Sequence, residues 1–199
     1  MKINGPLHKA RLISRPNRFI TIVDLNGKIK KSHLPDPGRL DEILIPGVEV
    51  YLMPAKNKPK RKTQFSTVMV NHNGQLISLV STLPNRFIKE MLYKNKLQIL
   101  KRYKIIRPEI AIGNHRIDFL LEDRFGSKFY LEIKSVTYVN QGIAKFPDAV
   151  TVRGTNHVKL LTKLKKNDID TGIIFVCQRS DAQIFTPMWE RDQNFSEAL

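Results

Sequence analysis

The chain has 199 residues, of which 41% are hydrophobic and 26% charged, a balance that supports a buried core and excludes an intrinsically disordered polymer. Its formal net charge is +16, an excess that points to a polyanionic partner, because phosphates attract Lys and Arg and release counterions. The single cysteine, Cys177, excludes an internal disulfide framework and a zinc finger, and no run of about 18 apolar residues offers a membrane span.

The N-terminal part reads as short strands separated by turns. Segments 7–14, 19–24, 28–33, 48–53 and 65–70 are expected strands, with the Asn26-Gly27 pair closing a hairpin between the second and third. Pro46-Gly47 and Asn73-Gly74 mark further turns. About five strands in this length predict a small barrel, of OB type by first choice. Between two of the strands, residues 56–62 read Lys-Asn-Lys-Pro-Lys-Arg-Lys. Lys56, Lys58, Lys60, Arg61 and Lys62 form either a solvated tip or an arm for phosphates. Residues 1–82 hold 14 Lys and Arg against 5 Asp and Glu, net +9, and residues 83–199 hold 20 against 13, net +7. Two domains are therefore expected, 1–82 for nucleic-acid binding and 83–199 for chemistry.

From Pro84 the periodicity becomes helical, with Phe87/Met91 and Ile88/Leu92 as i,i+4 pairs, and the helix is expected to run to about Tyr103. Strands follow at 105–112, 116–121 and 129–136. A looser segment leads to an amphipathic helix at 155–166, and the apolar strand 173–177 is expected at the centre of a sheet. The aromatics Phe185, Trp189 and Phe195 are expected to pack rather than to stack on bases. The order is helix, three strands, helix, strand, an α/β arrangement beside the barrel.

The chemistry sits on two of these strands. Ile117, Phe119 and Leu121 share one face and leave Asp118 on the other; Leu131 and Ile133 leave Glu132 and Lys134 opposite them. If the two strands pair across the turn at 123–127, the three charges meet on one side of the sheet. Charges among apolar strand residues are costly unless paired or ligated. Two carboxylates suit Mg2+ (or Mn2+), which binds through one or two carboxylates, water and substrate phosphate. The lysine can orient water or stabilise charge on phosphorus. The competing reading is a Glu–Lys ladder on a solvated sheet face.

Asp118, 13 intervening residues and Glu132-x-Lys134 resemble the PD-(D/E)XK nuclease signature. The element order also resembles that fold, a restriction-endonuclease-like αβββαβ core. The resemblance implies a further acid from the first helix, for which Glu90 is placed; Glu109, on the first strand, is the rival, and either reads equally as a surface glutamate. Most of the chain resembles the sugar fermentation stimulation protein family. The motifs are Gly38-Arg39-Leu40 with Pro46-Gly47, Pro84-Asn85, Arg116-Ile117-Asp118-Phe119-Leu120-Leu121, Glu132-Ile133-Lys134-Ser135-Val136-Thr137 and the run from Phe146-Pro147-Asp148 through Arg153-Gly154 to His157. One departure is Asp36-Pro37 ahead of Gly38-Arg39, where the resemblance implies Asn and a small residue.

The resemblance implies DNA binding, with RNA left open, and metal-dependent phosphodiester cleavage. The alternative is a non-catalytic DNA-binding regulator on a nuclease-like scaffold. Arg39 is a candidate phosphate ligand or the partner of Asp41 or Glu42. Arg153 and His157 flank the start of the second helix, where free N–H groups favour an anion; His157 reads alternatively as an exposed turn histidine. The N-terminus lacks the apolar core of a signal peptide, so a cytoplasmic location is expected. A homodimer is compatible with the sequence.

Overall fold

The computed structural model describes residue 3 and residues 5–55 and 61–199, and the chain forms two compact units. The first holds 1–81, 137–148 and 177–186; the second holds 82–136, 149–176 and 187–199. Two segments read above as parts of 83–199 thus cluster with the barrel.

Alternation in the N-terminal sequence becomes six strands: β1 (His8–Asn17), β2 (Ile20–Leu25), β3 (Lys28–His33), β4 (Glu49–Pro54), β5 (Phe65–His72) and β6 (Gln75–Ser78). They lie in the order β3-β2-β1-β4-β5-β6, and a parallel pairing of Ser32 with Phe65 and His33 with Ser66 joins β3 to β5. That contact closes five strands into an OB-like barrel and leaves no free edge between them. Asn26 and Gly27 both take positive φ, 53° and 79°, as the tight hairpin turn requires, and Asn73 and Gly74 repeat the device. Leu12, Val23, Val50, Leu52, Val70 and Ile77 fill the barrel. Where β3 meets β5, the buried hydroxyls of Thr21, Thr67 and Ser32 bond one another at 2.6 and 2.9 Å, which satisfies polar groups shut away from water. Among the expected basic arm, Lys56, Lys58 and Lys60 lie outside the described residues.

The second unit begins with α1 (Leu83–Tyr93), which ends ten residues before the expected Tyr103. Asn95 turns left-handed at φ 51°, and the Lys96 N–H reaches back to the Met91 carbonyl at 2.9 Å, a cap that terminates the helix. A single 3-10 turn at Gln98–Leu100 follows. Then come β7 (Tyr103–Ile112), β8 (His115–Asp123) and β9 (Lys128–Val136). Two short strands, β10 (Val139–Asn140) and β11 (Ile143–Phe146), belong to the first unit. The helix α2 (Val152–Lys166) starts three residues earlier than expected, because the Thr151 side chain accepts the Gly154 N–H at 3.0 Å and so caps it.

The strand β12 (Asp170–Cys177) stands at one end of the order β12-β9-β8-β7, not at the centre of the sheet. Its apolar run is explained by packing: Ile174 and Val176 join the core formed by Ile88, Leu92, Phe119, Leu121, Leu131 and Ile133. The strand β13 (Ile184–Pro187) pairs with β11, and α3 (Gln193–Ala198) closes the chain. Phe195 is fully buried, as packing requires, but Trp189 is half exposed. Among the described residues no helix is long and apolar enough to cross a membrane.

Candidate metal centre

The hairpin that carries the three charged residues forms as its alternation predicts. Ile117, Phe119 and Leu121 are buried on β8, and the ladder with β9 runs from Glu122 opposite Lys128 to Phe119 opposite Leu131. In that register the next two residues facing each other are Asp118 and Glu132. The Ile133 N–H donates to Asp118 Oδ2 at 2.7 Å, so a carboxylate satisfies this backbone group. The other oxygen, Oδ1, accepts from the Asn85 side-chain amide on α1 at 2.6 Å.

Glu132 is 4% exposed. Its Oε1 accepts from the Lys134 ammonium and from His157 Nδ1, both at 2.6 Å. A carboxylate only accepts, so His157 carries its proton on Nδ1. The second oxygen, Oε2, is sealed from solvent and has no hydrogen-bond partner among the described residues. A buried lone oxygen of this kind is costly and calls for a hydrogen-bond donor or a cation beside it.

The two carboxyls titrate in opposite directions. Burial, and then the nearby charge of Glu132, push the Asp118 carboxyl up to about 6, against the pull of the Ile133 amide, Asn85 and Lys134. Burial also pushes Glu132 up, but the hydrogen bonds and charges of His157 and Lys134 outweigh it and leave that carboxyl below its ordinary value. Paired carboxyls driven apart in this way mark functional sites.

The two rival acids are placed differently. Glu90 pairs with Lys94 along the helix at 2.5 Å, while Asn85 is the α1 residue that reaches Asp118. Glu109 lines an open cleft of about 300 Å3 together with Asn85, Lys89 and Asp118. It takes φ 52° within β7, between Pro108 opposite Phe119 and Ile110 opposite Ile117, and so faces Asp118 across the pair. A non-glycine residue held left-handed inside a strand stores strain of the kind found at functional sites. Its carboxylate pairs with Arg116 at 3.3 Å. Among the described residues no three His, Cys, Asp or Glu side chains converge into a complete metal cage. Two carboxylates can supply only part of an octahedral shell such as that of Mg2+, the rest of which water and phosphate oxygens commonly fill.

The remaining candidates scatter. His157 is buried against Glu132 and is not the exposed turn residue of the alternative reading. Arg153 is exposed in the first turn of α2. Arg39 pairs with Asp41 at 3.0 Å, and its backbone N–H donates to Asp148 Oδ2 at 2.9 Å. A Cβ on Gly38 would stand 2.6 Å from that same oxygen, so a larger residue there would displace the Asp148 carboxylate. Arg61 spends its guanidinium on the Phe65 carbonyl and the Ser66 hydroxyl, both at 2.8 Å, whereas Lys62 is exposed.

Sequence reasoning missed three side chains. Asn85 stood out only as part of the Pro84-Asn85 motif at the helix start, with no role attached to it. Arg15, whose guanidinium donates to the Gly38 and Arg39 carbonyls, acts over a long range that no local pattern marks. The role of His157 did have a signal: Gly154, His157, Val158 and Leu161 are all buried, at the i, i+3, i+4, i+7 spacing of an inward helix stripe.

Comparison with known proteins gives two consecutive matches along the chain. The sugar fermentation stimulation protein RE domain matches residues 82–199, and the SfsA N-terminal OB domain matches residues 13–79. Sugar fermentation stimulation protein homologs of Clostridium tetani (strain Massachusetts / E88) and Clostridium novyi (strain NT) are 42% and 43% identical to it over 199 residues, spanning 100% of this chain and 86% of each relative. The solved structure of Pyrococcus furiosus SfsA in complex with Ca2+ superimposes with a TM-score of 0.90 at 27% identity, covering 100% of this chain and 84% of that one.

Proposed function

The chain belongs to the sugar fermentation stimulation protein family, and on that premise we propose that it binds DNA and cleaves phosphodiester bonds with a divalent cation held by Asp118 and Glu132. The observation that carries this reading is the sealed, partnerless Oε2 of Glu132 opposite an Asp118 carboxyl pushed up to about 6. A divalent cation between them relieves both costs at once. The Ca2+ in the Pyrococcus furiosus relative supports a site for such an ion in the family. We take Mg2+ or Mn2+ as the working ion, and Glu109 rather than Glu90 as the third acid, since it shares the cleft with Asp118.

When bound, the cation supplies Lewis acidity toward a phosphoryl oxygen and lowers the pKa of a bound water. The protein's own residues do the rest. His157 and Lys134 fix the Glu132 carboxylate by two short hydrogen bonds, and Asn85 with the Ile133 amide fixes Asp118. Lys134 keeps two further N–H donors, which can hold the attacking water and meet charge as it develops on the phosphoryl oxygens. Arg39 and the lysines of the 56–62 run, Lys62 among them, serve as backbone contacts that hold the strand without reading its sequence.

A second reading has one observation in its favour. Lys134 already pairs with Glu132, and His157 donates to it, without a metal, as in a structural ion pair of a non-catalytic DNA-binding regulator. The two readings separate in one experiment. Purified protein is incubated with single- and double-stranded DNA and RNA, with and without Mg2+ or Mn2+, beside Glu132→Gln and Lys134→Met. The nuclease reading expects metal-dependent cleavage that both variants abolish while DNA affinity stays within about threefold. Tight DNA binding with no cleavage of any polymer leaves the regulator.

A further inference from the structure

His157 does two things at once. Its Nδ1 holds Glu132, and the same ring lines a second open cleft, of about 520 Å3. The other walls are the β7–β8 turn at Gly113 and Asn114, then His115 and Arg116 at the start of β8, and Arg153 from α2. His115 stands edge-on to His157, with ring centroids 5.9 Å apart. No acidic residue is among the described lining side chains. The cleft therefore presents two guanidinium groups, one of them in the first turn of a helix, beside an imidazole that is 2% exposed.

Such a lining selects an anion. Two planar guanidinium forks match the oxygens of a phosphate, and the volume admits a phosphodiester with its attached sugar rather than a small ion alone. The Arg116 side chain is available for this. Its pairing with Glu109 is long at 3.3 Å, and both partners are mostly exposed, so the pair holds Arg116 weakly.

We propose that this cleft is a phosphate subsite for a nucleic-acid strand, with Arg116 and Arg153 as its ligands and His157 as the wall it shares with the metal centre. Its assignment to a nuclease substrate rests on the function proposed above; its affinity for phosphate does not. A phosphate here lies one side chain away from Glu132. It also competes with Glu109 for Arg116, and so frees that carboxylate toward Asp118. The bound group is either an internal phosphodiester or the terminal phosphate of a strand.

The full-length chain, labelled with 15N, is titrated with inorganic phosphate and followed by amide resonances. Saturable shifts are expected at Gly113, Asn114 and Arg153. The Arg116→Gln/Arg153→Gln double variant, altered only at exposed positions, should keep the barrel resonances and bind phosphate about tenfold more weakly or worse. Strands ending in a 5′- or 3′-phosphate are then compared with the same strands ending in hydroxyls. A preference for the phosphorylated end that the double variant loses assigns the terminal group. Equal binding of both ends, weakened in the double variant, assigns an internal phosphodiester. Phosphate shifts that map elsewhere, or an unchanged affinity in the double variant, overturn the proposal. Phosphate binding as expected without cleavage of any strand overturns only the nuclease reading, and cleavage without phosphate shifts overturns only the subsite.

Discussion

His157 Nδ1 lies 2.6 Å from Glu132 Oε1, and each side chain is at most 5% exposed. Both partners are committed by this contact, since each is almost wholly buried. Replacing His157 with Ala leaves a cavity and strips one of two donors from a buried carboxylate. The expected loss is about 3 kcal/mol of unfolding free energy, read from urea midpoints. Ligand-orienting partners of this kind also tune metal affinity, so calorimetry with Mn2+ should show binding weakened by about 10- to 100-fold. An unchanged Mn2+ affinity would confine His157 to a packing role.

Asp118 carries the opposite lesson, because its ionised form is a burden in the metal-free protein. Its carboxyl is raised from 3.8 to about 6, so between those values the folded state holds a proton that the unfolded chain has lost. Stability from this group therefore falls as pH rises through that window, by on the order of 3 kcal/mol in full. Asp118→Asn removes the titration. Without metal, the variant should melt higher than the parent at pH 7 to 8 and converge with it near pH 4. With saturating Mn2+ the order should reverse, since only the parent gains the ion's binding energy. A variant that melts below the parent at neutral pH in chelator would mean that Asp118 is not strained there.

Much of this was legible along the chain, and the exceptions have physical causes. The hairpins follow from Asn26-Gly27 and Asn73-Gly74, residue pairs that tolerate the two positive φ values of such turns cheaply. The side of the sheet that holds Asp118, Glu132 and Lys134 follows from strict alternation. The helical contribution did not follow, since an acid was expected and Glu90 was nearest to hand. Residues 85 and 90 stand roughly 140° apart around a helix, so when Asn85 faces Asp118, Glu90 points toward Lys94 instead. Periodicity tells which residues share a face but not which face meets the strand. The β3–β5 pairing that closes the barrel and the Arg15 bond to the Gly38 carbonyl both join segments too distant for any local rule.

That geometry makes Asn85 the place to alter the metal centre directly. Its amide reaches Asp118 Oδ1 at 2.6 Å, so a carboxylate at the same position would stand beside a carboxyl already pushed up to about 6. Asn85→Asp should therefore lower the metal-free melting temperature above pH 6 by several degrees, through like-charge repulsion. It should also tighten Mn2+ or Ca2+ binding, because a third carboxylate then faces the ion. Asn85→Ala should weaken ion binding without the melting penalty. Parallel calorimetry and thermal scans decide the matter; equal ion affinity in all three proteins would place the ion away from Asp118.

The basic residues of the barrel unit divide by what their charges already do. The Arg61 guanidinium is occupied by the Phe65 carbonyl and the Ser66 hydroxyl, where β5 begins. Among the described residues the Arg39 guanidinium is bound only by an exposed pair with Asp41, a contact that contributes little and yields to a phosphate. Lys62 is exposed. If Arg39 and Lys62 contact phosphates, each change to Gln should reduce the slope of log affinity against log salt by about 0.9 on duplex DNA and about 0.7 on a single strand. Both variants should melt like the parent. Arg61→Gln should instead cost about 1 to 2 kcal/mol of stability, through the unsatisfied groups it leaves at the start of β5. Its salt slope should barely move. Fluorescence anisotropy at four or five salt concentrations, with urea melts beside it, separates the two roles; a slope change confined to Arg61→Gln would reverse the assignment.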